Sequence, residues 1–289
     1  MSRLRILNKM KMGFCVALLI AANVISARAQ TLAYKVYAIR FAVSARPFSV
    51  ADWAKGPKSD SVKINFVIWL IEGNGRYILV DAGFLNDVED AREFEVVNYT
   101  RPDSAISTLG LKPGDVTDII LSHPHWDHID GVGLFPNAHV WIQKEDFNYF
   151  VSTAWQKGGN NDAFAKRDVR IMIDLNMAGK VTLVNGDDKE IIPGISVFTG
   201  SRHTFNSQYV LVNTGNNKVV LASDNISTYY SLEHLAPPSD GGTFDPDGYV
   251  KAIRRMKTMA TDVKYIIPGH DAQLFSKFPA IADGVVEIK

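Results

Sequence analysis

The stretch His123-Pro124-His125-Trp126-Asp127-His128, followed by Gly131, determines both the predicted fold and the predicted site. It places three imidazoles and a carboxylate within six positions, directly after the apolar run at 119–121. In an extended chain that leaves a strand, His123 and His125 point to the same side, so both can bind one cation. Asp127 and His128 fall at the following turn and face a second point nearby. The stretch therefore predicts two adjacent metal ions.

The type of side chain indicates which metals are suitable. Histidine and carboxylate ligands without a thiolate suit Zn²⁺, with Fe²⁺, Mn²⁺ and Co²⁺ as other candidates. The alternative is a solvated loop that is rich in histidine and binds nothing. Because buried imidazoles and carboxylates need partners, such a density of them directly after a strand favours metal binding. We predict two divalent metal ions as cofactors, with zinc as the first choice.

Residues 1–29 have the three parts of a secretory signal peptide. An apolar run spans residue 13 to about residue 22, and Ala27-Arg28-Ala29 supplies an A-x-A end. This pattern predicts cleavage before Gln30 and an exported protein, either periplasmic or secreted. A retained N-terminal anchor is the alternative, but the apolar run is short for a membrane span, so no stable membrane anchor is expected. The basic residues that precede the apolar run are Arg3, Arg5, Lys9 and Lys11.

Composition indicates one domain that folds without disulfide bonds. The single cysteine, Cys15, lies in the apolar run, so residues 30–289 contain none and depend on a hydrophobic core. Without the five basic residues of 1–29, the remaining chain has 26 basic and 31 acidic residues, a net charge of −5. This mild acidity argues against nucleic acid or anionic membranes as partners. No linker or repeat divides residues 30–289, which predicts a single domain.

Residues beyond Thr31 are rich in alternating apolar patterns that are typical of strands. A hairpin turn is predicted at Glu72-Gly73-Asn74-Gly75. Residues 152–170 are polar and irregular, with a short helix expected at about 163–167. Strands are predicted at 32–43, 62–71, 76–80, 117–121, 138–143, 180–184, 195–199, 208–213, 218–222 and 263–267, and helices at 102–109, 144–151 and 245–259.

Two features of the first hundred residues each allow two interpretations. Asp81 ends a predicted strand, and it either forms a turn or supports a metal ligand from behind. The loops at 46–58 and 84–100 keep aromatic residues, which either line a substrate pocket or pack over a sheet. These aromatic residues are Phe48, Trp53, Phe84, Phe94 and Tyr99.

Three more residues of ligand type lie near the ends of later predicted strands: His203, Asp224 and His270. Loops at strand ends are where sheet proteins assemble sites, and two metals need more ligands than the first stretch supplies. His139 and His234 fit no such scheme and are assigned no role. The predicted first metal group is His123, His125 and His203, the second is Asp127, His128 and His270, and Asp224 is the bridging candidate.

The sequence resembles the metallo-β-lactamase superfamily. The resemblance rests on the H-x-H-x-D-H signature, the preceding L-V-D-A-G at 79–83, and the later His, Asp and His at intervals of 75, 21 and 46 residues. It covers nearly the whole of residues 30–289. It implies an α/β (α+β) fold, namely an αββα sandwich of two packed mixed sheets with outer helices and a metal site at the sheet edge.

Within the superfamily the sequence is most similar to the N-acyl-homoserine-lactone lactonase branch, through Phe244-Asp245-Pro246 and Pro268-Gly269-His270-Asp271. It departs from that branch at residues 201–207, where S-R-H-T-F-N-S replaces G-H-T-P-G-H. Asp130 stands where many relatives carry glycine. Ser227 occupies the position of a tyrosine that is common in lactonases, so Tyr229 and Tyr230 are the candidate substrate-binding residues in its place.

The resemblance implies an exported metal-dependent hydrolase that opens a lactone or cleaves an ester. The metals would generate a hydroxide nucleophile, and Asp127 would be the catalytic proton carrier. The expected partner is a small molecule with an ester, lactone or amide carbonyl. Three alternatives stay open: a periplasmic β-lactamase-like amidase or thioester hydrolase, an oxygen-using enzyme with one iron, and a metal-dependent binding protein without catalysis.

Overall fold

The structure is a computed structural model that describes residues 34–289. The predicted signal peptide, residues 1–29, lies outside the described residues. Between residues 34 and 289, no helix has both the length and the apolar character needed to cross a membrane.

The strands of this part of the chain are β1 (Lys35–Ser44), β2 (Phe48–Ser49), β3 (Ser61–Val62), β4 (Asn65–Gly73), β5 (Arg76–Val80), β6 (Val96–Val97), β7 (Asp118–Ile120), β8 (His139–Gln143), β9 (Val181–Val184), β10 (Lys189–Ile192), β11 (Ile195–Thr199), β12 (Gln208–Asn213), β13 (Lys218–Ser223), β14 (Ile266–Pro268), β15 (Ala280–Ala282) and β16 (Val285–Glu287). The α-helices are α1 (Val50–Trp53), α2 (Pro102–Ala105), α3 (Trp126–Ile129), α4 (Lys144–Val151), α5 (Lys166–Met177), α6 (Tyr229–His234), α7 (Pro246–Met259) and α8 (Leu274–Lys277).

The strands form two large mixed sheets and one small ribbon. The first sheet has the order β15-β16-β1-β4-β5-β7-β8-β9, with β6 paired to β1. Its β1-β4-β5 portion is antiparallel, whereas β5, β7, β8 and β9 run parallel. The second sheet has the order β10-β11-β12-β13-β14, and only its β13-β14 pair is parallel. The ribbon pairs β2 with β3.

Two hydrophobic cores lie on opposite faces of the first sheet. In β4, Trp69 packs into one core while its neighbours Ile68 and Leu70 pack into the other, because successive side chains of a strand point to opposite faces. The core that contains Trp69 also contains the second sheet and the buried face of α7. The other core contains the inward residues of α3, α4 and α5, such as Phe150 and Met172. The predicted αββα sandwich is therefore confirmed.

Local patterns account for most of the element positions. The strand at Arg76–Val80 and the helix at Lys144–Val151 have the predicted bounds. Asn74 and Gly75 both have positive φ, 52° and 73°, as a type I′ hairpin turn requires. The short helix expected at 163–167 was wrong: α5 begins at Lys166 and runs to Met177. The apolar face of α5 packs on the core through Met172 and half-buried apolar neighbours. This apolar spacing extends past residue 170, the end of the segment that was assigned as irregular.

Candidate metal centre

Parallel pairing brings the candidate ligands to one edge of the two sheets. His123 follows β7, and β7 runs parallel to β5, so Asp81 at the end of β5 lies beside it. Asp224 directly follows β13 and His270 comes two residues after β14, and these two strands are also parallel. Since parallel strands end at the same edge, residues more than 140 positions apart meet there.

All seven predicted ligand residues come together at this edge. Their side-chain nitrogen and oxygen atoms form groups in which every candidate atom lies within 4.8 Å of the others. Two of the groups have the membership that the sequence predicts, and a third contains the proposed bridging residue. The groups are His123, His125 and His203; Asp127, His128 and His270; and His123, His128 and Asp224.

The Asp224 carboxylate lies between the two groups. Its Oδ1 is 2.9 Å from Nε2 of His270 and 3.6 Å from Nε2 of His128, both of the second group. Its Oδ2 is 3.4 Å from Nε2 of His203, which belongs to the first group. One carboxylate thus presents one oxygen to each side, the arrangement of a bridging ligand.

Asp127 lies on the side of the second group. Its Oδ2 is 3.3 Å from Nε2 of His128 and 3.4 Å from Nε2 of His270. Burial acts to raise the pKa of Asp127, but the neighbouring His128 and His270 outweigh it and lower the pKa below its ordinary value. The side chain is 11% exposed, more than that of either histidine partner. Asp127 is therefore slightly more exposed than the two histidines that it contacts.

Contacts behind the histidines fix which nitrogen faces the centre. In four of them Nδ1 is occupied, so Nε2 points inward, as is usual for metal-binding histidines with an outer partner. His125 is the exception: its Nδ1 lies 3.1 Å from Nε2 of His203 and is the atom directed at the first group. The four outer contacts are His123 to Ser122 Oγ (2.8 Å), His128 to Asp81 Oδ2 (2.9 Å), His203 to Gly242 O (2.9 Å) and His270 to Asn65 O (3.1 Å).

Asp81 supports His128 from behind, which decides between its two interpretations. It is fully buried and has a φ of 61°, in the left-handed region that few non-glycine residues adopt. Its Oδ1 accepts the backbone N–H of Ser122 at 2.8 Å. Its Oδ2 lies 2.9 Å from Oγ of Ser122, 2.8 Å from Oγ of Ser223 and 2.9 Å from Nδ1 of His128. Both carboxylate oxygens are thus committed to holding the ligand loops.

The polar atoms at the centre fit a bound cation. Nε2 of His123, Nε2 of His128 and Oδ1 of Asp224 are buried and make no well-aligned hydrogen bond among residues 34–289, although Oδ1 of Asp224 lies 2.9 Å from Nε2 of His270. Buried polar atoms without a partner are costly, and bound metal ions in the two groups would satisfy all three. The chemistry of the donor set, histidine and carboxylate only, suits the divalent cations that the sequence predicts.

Electrostatics give the first group its metal-binding form. Burial, with nearby imidazoles, lowers the pKa of His123 well below its ordinary value, and burial lowers the pKa of His125 to about 3. Both rings are therefore neutral at physiological pH, the form in which imidazole binds a metal. For Asp224 burial acts to raise the pKa, but His270, His128 and His203 together lower it far below its ordinary value.

Two glycines allow the ligand loops to approach one another. A Cβ on Gly131 would lie 2.1 Å from the backbone oxygen of Ala82, and one on Gly269 would lie 2.3 Å from Oδ1 of Asp224. Both distances are well below van der Waals contact. A side chain at Gly269 would therefore displace the bridging carboxylate.

Three aromatic rings, here called the aromatic wall, lie at or next to the metal centre: Trp53 and Phe164 contact candidate ligands, and Phe94 packs on Trp53. The ring of Trp53 lies 5.4 Å from that of His270 and 6.2 Å from that of Phe94. The ring of Phe164 lies 5.6 Å from that of His125. All three side chains are half-buried. Trp53 thus lies beside a candidate ligand, whereas Phe94 packs on Trp53 and on the core rings of Phe66 and Trp126, so the pocket interpretation stays a prediction for both. Phe164 was not predicted, because it lies in the segment that the sequence assigned as irregular.

The other loop aromatics pack away from the ligands. Phe84 is fully buried, and its ring makes an edge contact with Phe41 at 5.2 Å. Tyr99 packs on the same rings and donates its hydroxyl to the backbone oxygen of Phe84. Phe48 packs against Trp53 at 6.2 Å. For Phe84 and Tyr99 the alternative interpretation, packing over the sheet, is the one observed.

The two candidate substrate-binding tyrosines occupy different surroundings. Tyr229 is buried in the core between the sheets, and its hydroxyl has no hydrogen-bond partner among residues 34–289. Tyr230 is half-buried and stacks on His234 at 4.3 Å. His139 bonds through Nε2 with Oγ1 of Thr182, away from the ligand groups. The substrate-binding role of the tyrosines stays a prediction.

Fold and site together define a metal-dependent hydrolase. The sequence matches the family described as the Metallo-beta-lactamase superfamily over residues 67–270, a range that contains all seven candidate ligands. This match spans more than half of the chain, and the chain belongs to that superfamily.

Two proteins similar in sequence to this chain are N-acyl homoserine lactonases. The chain is 27% identical over 225 residues to an N-acyl homoserine lactonase of Bacillus cereus, which covers 73% of this chain and 83% of that protein. It is 29% identical over 185 residues to the N-acyl homoserine lactonase AttM of Rhizobium radiobacter, covering 60% and 65% of the two chains.

Solved structures share the fold. An N-acyl homoserine lactone hydrolase with N-hexanoyl-L-homoserine bound at its catalytic metal centre superposes with a TM-score of 0.67 at 21% identity, covering 86% of this chain and 97% of that one. The dizinc quorum-quenching lactonase AidC superposes with a TM-score of 0.60 at 18% identity, covering 83% and 88%.

Proposed function

We propose that this protein is an exported lactonase that uses two divalent cations, most suitably zinc, to open an N-acyl homoserine lactone or a related acylated lactone. The named relatives support the substrate class, and the A-x-A pattern before Gln30 supports export. The proposed location is the periplasm or the medium.

One observation carries the proposal: the Asp224 carboxylate presents Oδ1 to one ligand group and Oδ2 to the other. A carboxylate shared between two complete ligand groups favours two cations over one. The proposed first metal is held by His123, His125 and His203. The proposed second metal is held by Asp127, His128 and His270, with Asp224 common to both.

The chain's own residues then divide the work of hydrolysis. Cations held by the two groups would supply a nucleophile at neutral pH and positive charge for the carbonyl oxygen. Asp127, the most exposed carboxylate of the centre, would hold the nucleophile by a hydrogen bond and carry its proton to the departing alkoxide. Asp81 keeps Nδ1 of His128 engaged, so that Nε2 stays free for the metal.

The aromatic wall supports an apolar acyl group as part of the substrate. Trp53 and Phe164 stand beside ligands of opposite groups, His270 and His125, so a bound carbonyl would be flanked by rings. Half-buried aromatic rings favour an aliphatic chain over a charged substituent. We assign the acyl chain to this wall and leave the oxyanion contact to Tyr229 or Tyr230, to be compared through Y229F and Y230F.

The test is a substrate panel with the zinc-loaded protein purified after expression of the full chain. It contains N-hexanoyl and N-decanoyl homoserine lactone, a simple ester, a thioester and a chromogenic cephalosporin. We expect lactone opening to exceed the other reactions. Faster turnover of the cephalosporin would identify an amidase instead. No turnover of any substrate by a protein with two zinc ions would indicate a metal-dependent binding protein.

Export is tested separately by cell fractionation. We expect the periplasm or the medium to contain a chain that begins at Gln30, as measured by mass spectrometry of the intact protein. A chain that keeps residues 1–29 and sediments with membranes would contradict export while leaving the enzymatic proposal untouched.

A further inference from the structure

Asp130, the residue that departs from the glycine of many relatives, is a buried carboxylate directly after the ligand helix α3. Its side chain is 0% exposed. Its Oδ2 accepts the backbone N–H of Leu85 at 2.7 Å. The guanidinium of Arg167 donates to both of its oxygens, from Nε at 2.5 Å and from Nη2 at 2.6 Å. Such a two-bond fork fixes orientation as well as distance.

Arg167 joins three segments of the chain at this point. It belongs to the first turn of α5, and its Nη1 also donates to Oδ1 of Asp87 at 2.8 Å. The neighbouring Asp168 is buried, and neither of its carboxylate oxygens has a partner among residues 34–289. Burial and the nearby Asp130 raise the pKa of Asp168 above its ordinary value. Asp168 is then uncharged, and Arg167 compensates the charge of Asp130.

The segment at 156–165, just before α5, lies against the first metal group. The backbone N–H of Trp126 donates to the oxygen of Ala163 at 2.9 Å. The ring of Phe164 lies 5.6 Å from that of His125. Ala163 has a φ of 60°, a conformation that a residue with a side chain keeps only where its surroundings hold it.

We propose that Arg167 is a positioning residue of the metal centre. Through its fork to Asp130 it holds Ala163 and Phe164 against the start of the ligand helix, where Trp126 and His125 lie. The position of Phe164 beside the first metal group would thus depend on the Arg167–Asp130 ion pair at the C-terminal end of α3. The kinetic consequence rests on the proposed lactonase function, but the positioning itself does not.

The competing explanation is an ion pair that only stabilises the fold. Such a pair would lower the melting temperature when broken, without a selective effect near His125. Arg255 and Asp187 supply a control ion pair outside the ligand segments: Nη1 of Arg255 lies 2.9 and 2.8 Å from the two oxygens of Asp187, and the arginine is 37% exposed, against 34% for Arg167. The control pair is the more exposed of the two, because Asp187 is 44% exposed and Asp130 is 0% exposed. R255M should therefore show the effect of losing an ion pair away from the ligand segments, with a small change in melting temperature and no change near His125.

The experiment compares R167M, R167K, F164A and R255M, each purified after expression of the full chain. The first readout is amide hydrogen exchange at Trp126 and across 156–165, which needs neither substrate nor turnover. We expect exchange there to be about 10-fold faster in R167M, because the segment at 156–165 would open locally more often. Exchange should be intermediate in R167K and unchanged in R255M. Zinc affinity measured by chelator competition should fall by about 10-fold for one of the two sites in R167M.

The second readout is steady-state kinetics with N-decanoyl homoserine lactone. R167M and F164A should both raise KM by about 10-fold, because each variant loses the apolar contact that Phe164 makes with the substrate. The value of kcat should change by less than about 3-fold. Wild-type exchange at Trp126 and wild-type zinc affinity in R167M would overturn the proposal, as would equal effects in R255M. If R167M does not fold, R167K decides by the same measurements. If the wild-type protein opens no lactone, only the proposed function is contradicted. Hydrogen exchange and zinc affinity would still test the positioning role of Arg167.

Discussion

Replacing Asp81 by asparagine tests how the metal centre is organised. Oδ1 of Asp81 accepts a backbone N–H from Ser122, so this atom must remain an oxygen. The amide nitrogen of the variant would then occupy the position of Oδ2, 2.9 Å from Nδ1 of His128. Because an amide nitrogen only donates, Nδ1 of His128 would have to accept. Its proton would move to Nε2, the atom that faces the metal.

The expected magnitude follows from this exchange of roles. Loss of an outer partner of a metal-binding histidine typically weakens metal binding by about 10- to 100-fold, or about 1.4–2.8 kcal/mol. The assay is zinc binding to the metal-free protein in competition with a chelator, which resolves the two sites. We expect D81N to weaken the site of His128 and to leave the site of His125 nearly intact.

Asp118 provides the control for this prediction. It is equally buried and accepts hydrogen bonds from Arg76 at 2.7 Å, Thr117 at 2.7 Å and Trp141 at 3.0 Å, at the opposite end of β7 from the ligands. D118N should lower stability and keep both zinc affinities. Wild-type zinc binding in D81N, or an equal loss in D118N, would refute the reasoning.

Four further predictions concern other parts of the molecule. G269A should lower lactone hydrolysis by more than about 100-fold, because its methyl group would enter the 2.3 Å space beside Oδ1 of Asp224; crystallography of the variant would show whether Asp224 has moved. W53A should raise KM for N-decanoyl homoserine lactone about 10-fold more than it raises KM for the N-butanoyl substrate, because only the longer chain would lose apolar contact with the ring. Equal effects on both substrates would show that Trp53 does not contact the acyl chain. Burial raises the pKa of Asp146 to about 6, so the folded protein binds this proton more tightly than the unfolded chain does, and stability falls as the pH rises from about 4 to about 6. Urea unfolding of the metal-free protein at a series of pH values measures this fall in the free energy of unfolding. D146N should make the fall smaller by about 3 kcal/mol, and the same dependence on pH in D146N and wild type would contradict the assignment. Removing zinc should abolish hydrolysis and lower the free energy of unfolding by about 2.7 kcal/mol per site for protein previously held at 100 times Kd, as calorimetry with and without chelator would show.

The sequence predicted the site better than it predicted the surroundings of the site. The spacing of His123 and His125 after a strand already carries the geometry, because alternation along an extended chain is a local rule. His203, Asp224 and His270 followed from the same logic of strand ends. Asp224 and His270 meet through the parallel pairing of β13 with β14, and Asp81 meets His123 through that of β5 with β7, and no local pattern encodes either pairing.

Contacts between distant segments were out of reach for the same reason. Phe164 and Arg167 belong to a polar stretch whose periodicity is weak, and their contacts with His125 and Asp130 form only when α5 packs beside the ligand helix. Asp130 was recognised as unusual, but its partner lies 37 residues away. Asp81 could be a turn residue or a supporting residue in sequence alone, and the four contacts to its carboxylate decide between them.

The most direct test of the central claim is anomalous diffraction at the zinc absorption edge from crystals of the zinc-loaded protein. Two peaks on either side of the Asp224 carboxylate, one beside His203 and one beside His270, are the predicted result. A single peak, or peaks remote from Asp224, would contradict a hydrolase built on two cations that share this residue.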